Sequence, residues 1–190
     1  MDKKGDERCR HAVKRSSKFF ALVEKLDAPV VLTVAAKGVV PEEHPLCIGA
    51  NLPFEPVQSL IKTADVVLVV GTELAETDLD PFKASIDVDE TLIRVDLDPE
   101  QLVKNQRPDV GIWSDSKLAL SEILKALGGE EKNADRDQTP GTGRVAEIRS
   151  EIRKQWWQGS ERHNILLDAL RAVLPDEGIV TTVIEVREDA

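Results

Sequence analysis

Long hydrophobic runs are missing from this 190-residue chain. The longest, Val66-Val67-Leu68-Val69-Val70, falls far short of the roughly 20 apolar residues that a membrane-spanning helix needs, so no membrane partner is expected. The opening segment, MDKKGDERCRHAVKRSSK, lacks the apolar stretch of a secretory signal, and none is expected. Cysteine is scarce. Cys9 and Cys47 are too few for a disulfide framework, and two reduced thiols point to a cytoplasmic protein. Positive charge is in deficit: 25 Lys and Arg face 35 Asp and Glu, for a formal net charge of -10. That balance argues against a general affinity for nucleic acid. The first 18 residues run the other way, with Lys3, Lys4, Arg8, Arg10, Lys14, Arg15 and Lys18 against Asp2, Asp6 and Glu7. Such an arm reads as a solvated helix face or terminus, with an RNA or membrane contact as the alternative.

What is present is an ordinary globular balance, 41% hydrophobic and 32% charged, in a chain long enough for one domain with a sizeable core. Apolar positions at helical spacing predict a helix over 12–26, ended by Asp27-Ala28-Pro29, because the residue before proline is pushed out of the helical region. The β-branched run Val30 to Val34 follows, then Val66 to Val70 and Leu92 to Asp96, with Val110 to Trp113 as weaker strand material. Apolar runs without alternation are the pattern of parallel strands buried on both faces. Helical patterns lie between them: Phe54 to Lys62, a short turn at Glu100 to Asn105, and Ser116 to Leu127, stopped by Gly128. Strands alternating with helices imply an α/β doubly wound domain with a mainly parallel sheet. We assign it to residues 1–127. Residues 128–143, GGEEKNADRDQTPGTG, have no periodicity and read as a linker, the expected first site of proteolysis. Residues 144–190 then hold helices at Arg144 to Trp157 and Ser160 to Leu174 and a strand at Ile179 to Ile184.

Open parallel sheets bind ligands outside the carboxyl ends of their strands. Those ends carry Gly71-Thr72-Glu73, Asp96-Leu97-Asp98 and Ser114-Asp115. Glycine admits close backbone approach, and a carboxylate there can hold ribose hydroxyls. Gly71, Thr72, Asp96 and Asp115 are therefore candidate cofactor-binding residues, while Asp98 and Asp115 also suit helix caps. Neither G-x-G-x-x-G nor a phosphate-binding G-x-x-x-x-G-K-[ST] loop occurs. The carboxylates Glu73, Glu76, Asp78 and Asp80 fit no calcium loop and read as a solvated acidic segment. His11, His44 and His163 sit in no metal-ligand spacing, and no G-x-S-x-G elbow is present. No metal-ligating or catalytic residue is assigned. Trp156-Trp157 suits helix packing better than a stacking platform.

The stretch from Leu26 through Leu46, then Ala64 to Gly71, Ile93 to Pro99, and Ser114-Asp115, occur in an order that resembles the central domain of thiamine diphosphate-dependent enzymes. That group includes acetolactate synthase and the 2-oxo acid decarboxylases. Residues 71–78, GTELAETD, resemble the branch acting on 5-guanidino-2-oxopentanoate. The resemblance implies a six-stranded, Rossmann-like central domain that holds FAD or ADP in some members and is structural in others. Thiamine diphosphate and Mg²⁺ would bind between two other domains: a pyrimidine-binding one with an activating Glu, and a pyrophosphate-binding one with a G-D-G…N motif. This chain shows no such motif, and Gly5-Asp6-Glu7-Arg8-Cys9 replaces the usual glycine-rich opening, so the first strand is irregular or missing. The expectation is a central-domain fragment that is not catalytically complete alone. It would be partnered by pyrimidine- and pyrophosphate-binding domains on other chains, or would form homo-oligomers. A stand-alone FAD- or ADP-binding module and a non-catalytic scaffold are the alternatives.

Overall fold

The computed structural model describes residues 17–74, 86–128, 140–159 and 161–175. The chain divides into two compact units, Met1–Ile152 and Arg153–Ala190. The strand expected at 179–184, the carboxylates Glu76, Asp78 and Asp80, the basic arm with Asp6, Glu7 and Cys9, and most of the expected linker lie outside the described residues.

The first unit is α/β with parallel strands throughout, as the alternation of patterns requires. Helix α1 covers 17–26 and ends at Asp27, whose φ of 50° turns the chain toward Pro29. Strand β1 is short, Val30–Val31, where the sequence suggested a run to Val34. The reason is local. The Thr33 hydroxyl accepts the Ala36 N–H at 3.2 Å and caps a 3-10 turn, Val34–Ala36, which takes the chain out of the sheet. Strand β2 (Cys47–Gly49) pairs parallel with β1. Helix α2 (Glu55–Lys62) starts with Pro56 in its first turn, where proline's missing N–H costs nothing.

Strand β3 (Val66–Val70), β4 (Thr91–Asp96) and β5 (Val110–Trp113) form a second parallel sheet in the order β3-β4-β5. Between β4 and β5 lies α3 (Pro99–Val103), and α4 (Ser116–Ala126) follows β5. Helix α5 begins at Gly141, inside the stretch that composition marks as a linker, and runs to Gly159. Its residues Val145, Ile148 and Ile152 are buried in the same core as Ile48, Val57, Ile61, Val69 and Leu92, with Val31 and Val67 packed against them. A separate cluster joins Phe19, Phe20 and Val23 of α1 to Val30, Leu32 and Cys47. Helix α6 (Glu161–Val173) belongs to the second unit.

Two burial patterns depart from expectation. β3 is apolar at every position yet, among the described residues, pairs on one side only, with Val66 55% exposed and only Val69 buried. β4, between its neighbours, buries Leu92, Arg94 and Val95, and Arg94 is the one buried charged residue among those described.

Candidate functional site

The carboxyl ends of β3, β4 and β5 lie side by side, because the three strands are parallel and in continuous register. The Gly71 N–H donates to the Val95 carbonyl at 2.9 Å, and the Ser114 N–H donates to the Asp96 carbonyl at 3.0 Å. The four residues singled out in the sequence, Gly71, Thr72, Asp96 and Asp115, thus fall at or just past the carboxyl ends of the strands of one sheet. Gly71 has φ 64°, a conformation in which any Cβ is strained. A Cβ there would meet nothing within 4 Å, so it is the turn that requires glycine. The Thr72 hydroxyl accepts the Leu74 N–H at 3.1 Å and holds that turn closed.

The carboxylates are partly engaged in shaping the loops. Asp96 Oδ1 accepts the Asp98 N–H at 3.0 Å, and Asp98 Oδ1 accepts the Glu100 N–H at 2.9 Å, capping α3. Asp115 Oδ1 accepts the N–H groups of Lys117 and Leu118 at 2.9 and 3.3 Å, capping α4. The capping alternative therefore holds for Asp98 and Asp115. Glu73, in the turn after β3, is ion-paired with Lys104, just past α3.

Arg94 organises this end of the sheet, and sequence reasoning did not single it out. Its side chain is 1% exposed. Nη1 donates to the carbonyls of Lys104 and Gln106, each at 2.7 Å, and Nη2 donates to the Thr72 carbonyl at 2.8 Å. Nε is buried without a partner. Burial pushes the guanidinium below its ordinary pKa, while the Asp96 carboxylate pulls it back up. One cation thereby ties the turn after β3 to the segment after α3. Asn105 strengthens the tie: its φ is 61°, and its side-chain amide donates to the carbonyls of Glu73 and Leu74 at 3.0 and 3.2 Å. The one available signal was a charge inside the apolar run Leu92-Ile93-Arg94-Val95.

His44 takes part in local packing and hydrogen bonding. Its Nδ1 accepts the Leu46 N–H at 3.2 Å, its Nε2 lies 3.6 Å from Glu24, and its ring meets Phe20 edge-on at 5.5 Å. Cys47 is fully buried and free, and burial raises its pKa. Among the described residues no group of three or more His, Cys, Asp or Glu could hold a metal ion, and no helix is long and apolar enough to cross a membrane.

Comparisons with known proteins bear on the fold and the family. The chain is 37% identical over 162 residues to the probable 2-ketoarginine decarboxylase of Pseudomonas aeruginosa, covering 85% of this chain and 28% of that protein. It is 33% identical over 108 residues to the probable acetolactate synthase large subunit of Methanococcus aeolicus, covering 56% of this chain and 18% of that one. Among solved structures, benzoylformate decarboxylase from Polynucleobacter necessarius superposes with a TM-score of 0.51 at 32% identity, over 64% of this chain and 24% of that one. The chain thus spans less than a third of the length of these relatives. The model of the family described as thiamine pyrophosphate enzyme, central domain, matches residues 6–123, and the chain belongs to that family.

Proposed function

We propose that this chain serves as the central, scaffolding part of a thiamine diphosphate-dependent enzyme that decarboxylates or carboligates a 2-oxo acid, with 2-ketoarginine as the substrate class. The 37% identity over 85% of the chain carries this reading. The described residues do not fit the cofactor itself: at these strand ends Asp96 and Asp115 accept backbone N–H groups and Glu73 is ion-paired, and among the described residues no cluster could hold Mg²⁺. Activation of the thiamine ring and the metal clamp on its diphosphate would come from polypeptide outside this chain, in the pyrimidine- and pyrophosphate-binding domains. Incubating the purified chain with 2-ketoarginine or pyruvate, thiamine diphosphate and Mg²⁺ is expected to give no turnover. Steady product formation by the chain alone overturns this reading.

A second reading is supported by the convergence of Gly71, Thr72, Asp96 and Asp115 at the carboxyl ends of neighbouring strands: an adenine nucleotide or FAD site. Asp96 has the chemistry to hold a ribose. Glu73 and Asp98, in the segments that follow β3 and β4, disfavour a diphosphate, and Arg94 is committed to backbone carbonyls. Binding of FAD or ADP is therefore expected to be no tighter than about 1 mM, or about -4 kcal/mol. Calorimetric titration checks this, and micromolar binding lost in Asp96→Ala would favour the nucleotide site over the scaffold.

A further inference from the structure

We propose that α5 is held in the first unit as a docked helix, by a seat whose contacts do not depend on the chain leading into it, so that a break in the backbone between residues 129 and 139 leaves α5 seated and the unit folded.

The seat begins where α1 ends. Asp27, at φ 50°, closes α1, and its Oδ2 accepts the N–H of Gly141, the first residue of α5, at 3.0 Å. The first N–H groups of a helix have no partner within the helix, and an acceptor side chain that reaches one of them stabilises that end. Such acceptors ordinarily come from the residue next to the helix; this one comes from 114 positions away. Gly141 also packs backbone to backbone on the same residue. A Cβ on it would stand 2.1 Å from the Asp27 carbonyl oxygen and 2.9 Å from Leu46 Cδ2, so glycine is what lets the helix come this close.

The seat continues along one face. Val145, Ile148 and Ile152 follow at spacings of three and four, which places them on one side of the helix. All three are buried, in the cluster that holds Ile48, Val57, Ile61 and Val69, with Val31 packed against it. The Arg149 guanidinium donates to the Glu42 carbonyl, in the segment before β2. An end held by a carboxylate, an apolar stripe in a groove and a cation on a backbone carbonyl are the contacts of a helix bound in a groove.

The two sides of the 129–139 segment are fastened at one place. Lys25 Nζ donates to the Gly128 carbonyl, and Asp27 holds Gly141, so both attachments fall within residues 25–27. Gly128 and Gly141 lie in the same unit. The covalent path between them supplies none of the contacts in the seat. It acts by raising the effective concentration of α5 there, an entropic contribution that depends only weakly on its length.

The test uses the full chain with residues 131–137 replaced by the recognition sequence of a site-specific protease. After complete cleavage at about 10 µM protein, the two fragments are expected to elute together in gel filtration, at the volume of the uncut chain. The amides of residues 145–152 should keep their hydrogen-exchange protection to within about tenfold. Two variants show whether the association runs through the seat. Asp27→Gly removes the carboxylate at a φ that glycine adopts freely, and in the cut protein it should weaken the association about fivefold, whereas Asp27→Asn, which keeps an acceptor oxygen, should stay within about twofold of the parent. Gly141→Ala should weaken it at least about tenfold. The proposal is overturned if the fragments separate at this concentration, or if the amides of residues 145–152 exchange as in an unfolded chain. It is overturned equally if neither Asp27→Gly nor Gly141→Ala weakens the association, since the fragments would then be held by contacts elsewhere.

Discussion

Arg94→Met replaces a buried cation with an apolar side chain of similar length, and two opposing effects decide its cost. The guanidinium makes three hydrogen bonds of 2.7, 2.7 and 2.8 Å to the carbonyls of Lys104, Gln106 and Thr72. Hydrogen bonds to a charged group are each worth about 1.5–3 kcal/mol, so their loss removes on the order of 4–9 kcal/mol. Against this, the variant no longer has to desolvate a cation, a penalty of several kcal/mol in a protein interior. Three carbonyls left without their donor turn the balance toward destabilisation, and the net expected loss is about 3 kcal/mol. With a urea m-value of about 2 kcal/mol/M, the unfolding midpoint should fall by about 1.5 M. Arg94→Lys keeps the charge but replaces the fork by a single point donor, and it should lose about 2 kcal/mol. Urea melts of the three proteins followed by circular dichroism measure both numbers. Native-like stability of Arg94→Met, to within about 0.5 kcal/mol, would refute the reasoning, since the three bonds would then contribute nothing net.

Gly141→Ala adds helix propensity, worth up to about 1 kcal/mol, but its Cβ would collide with the Asp27 carbonyl and come within 2.9 Å of Leu46 Cδ2. The collision should win, with a thermal melt showing a net loss of about 2 kcal/mol; a stabilised variant would contradict the packing of α5 against residues 27 and 46. Burial raises the pKa of Cys47 above its unfolded value, so the folded state holds the proton more tightly. Stability from this group is complete below the unfolded pKa and is lost as pH rises through the folded one. Chemical denaturation from pH 7.5 to 10.5 should therefore show stability falling above about pH 9, less steeply in Cys47→Ser; an equal slope in both proteins would remove Cys47 as the cause.

Much of the first unit was legible in the residues. The β-branched runs at Val66 and Leu92, the weaker one at Val110, and the amphipathic helix from Ser116 were each local patterns strong enough to name an element. Parallel pairing follows from their alternation, which is why the strand ends carrying Gly71, Thr72, Asp96 and Asp115 converge. Strand β2 was missed because Cys47-Ile48-Gly49 is too short to show a period, and only its pairing with Val30 and Val31 makes it a strand. β1 stops early because one hydroxyl, that of Thr33, offers the backbone a competing partner.

Local pattern reports which side chains avoid water, and so the residues alone determined the class of fold; the order of four motifs, by resemblance, pointed to the family. Long-range geometry reports what each side chain meets, and only the tertiary structure decided that. The residues mark β3 as an interior strand, but its pairing, with β4 alone among the described residues, depends on which strands are there to meet it. Arg94 in sequence is one charge interrupting an apolar run. Its role arises because residues 72, 104 and 106, far apart along the chain, bring three carbonyls within reach of one buried guanidinium.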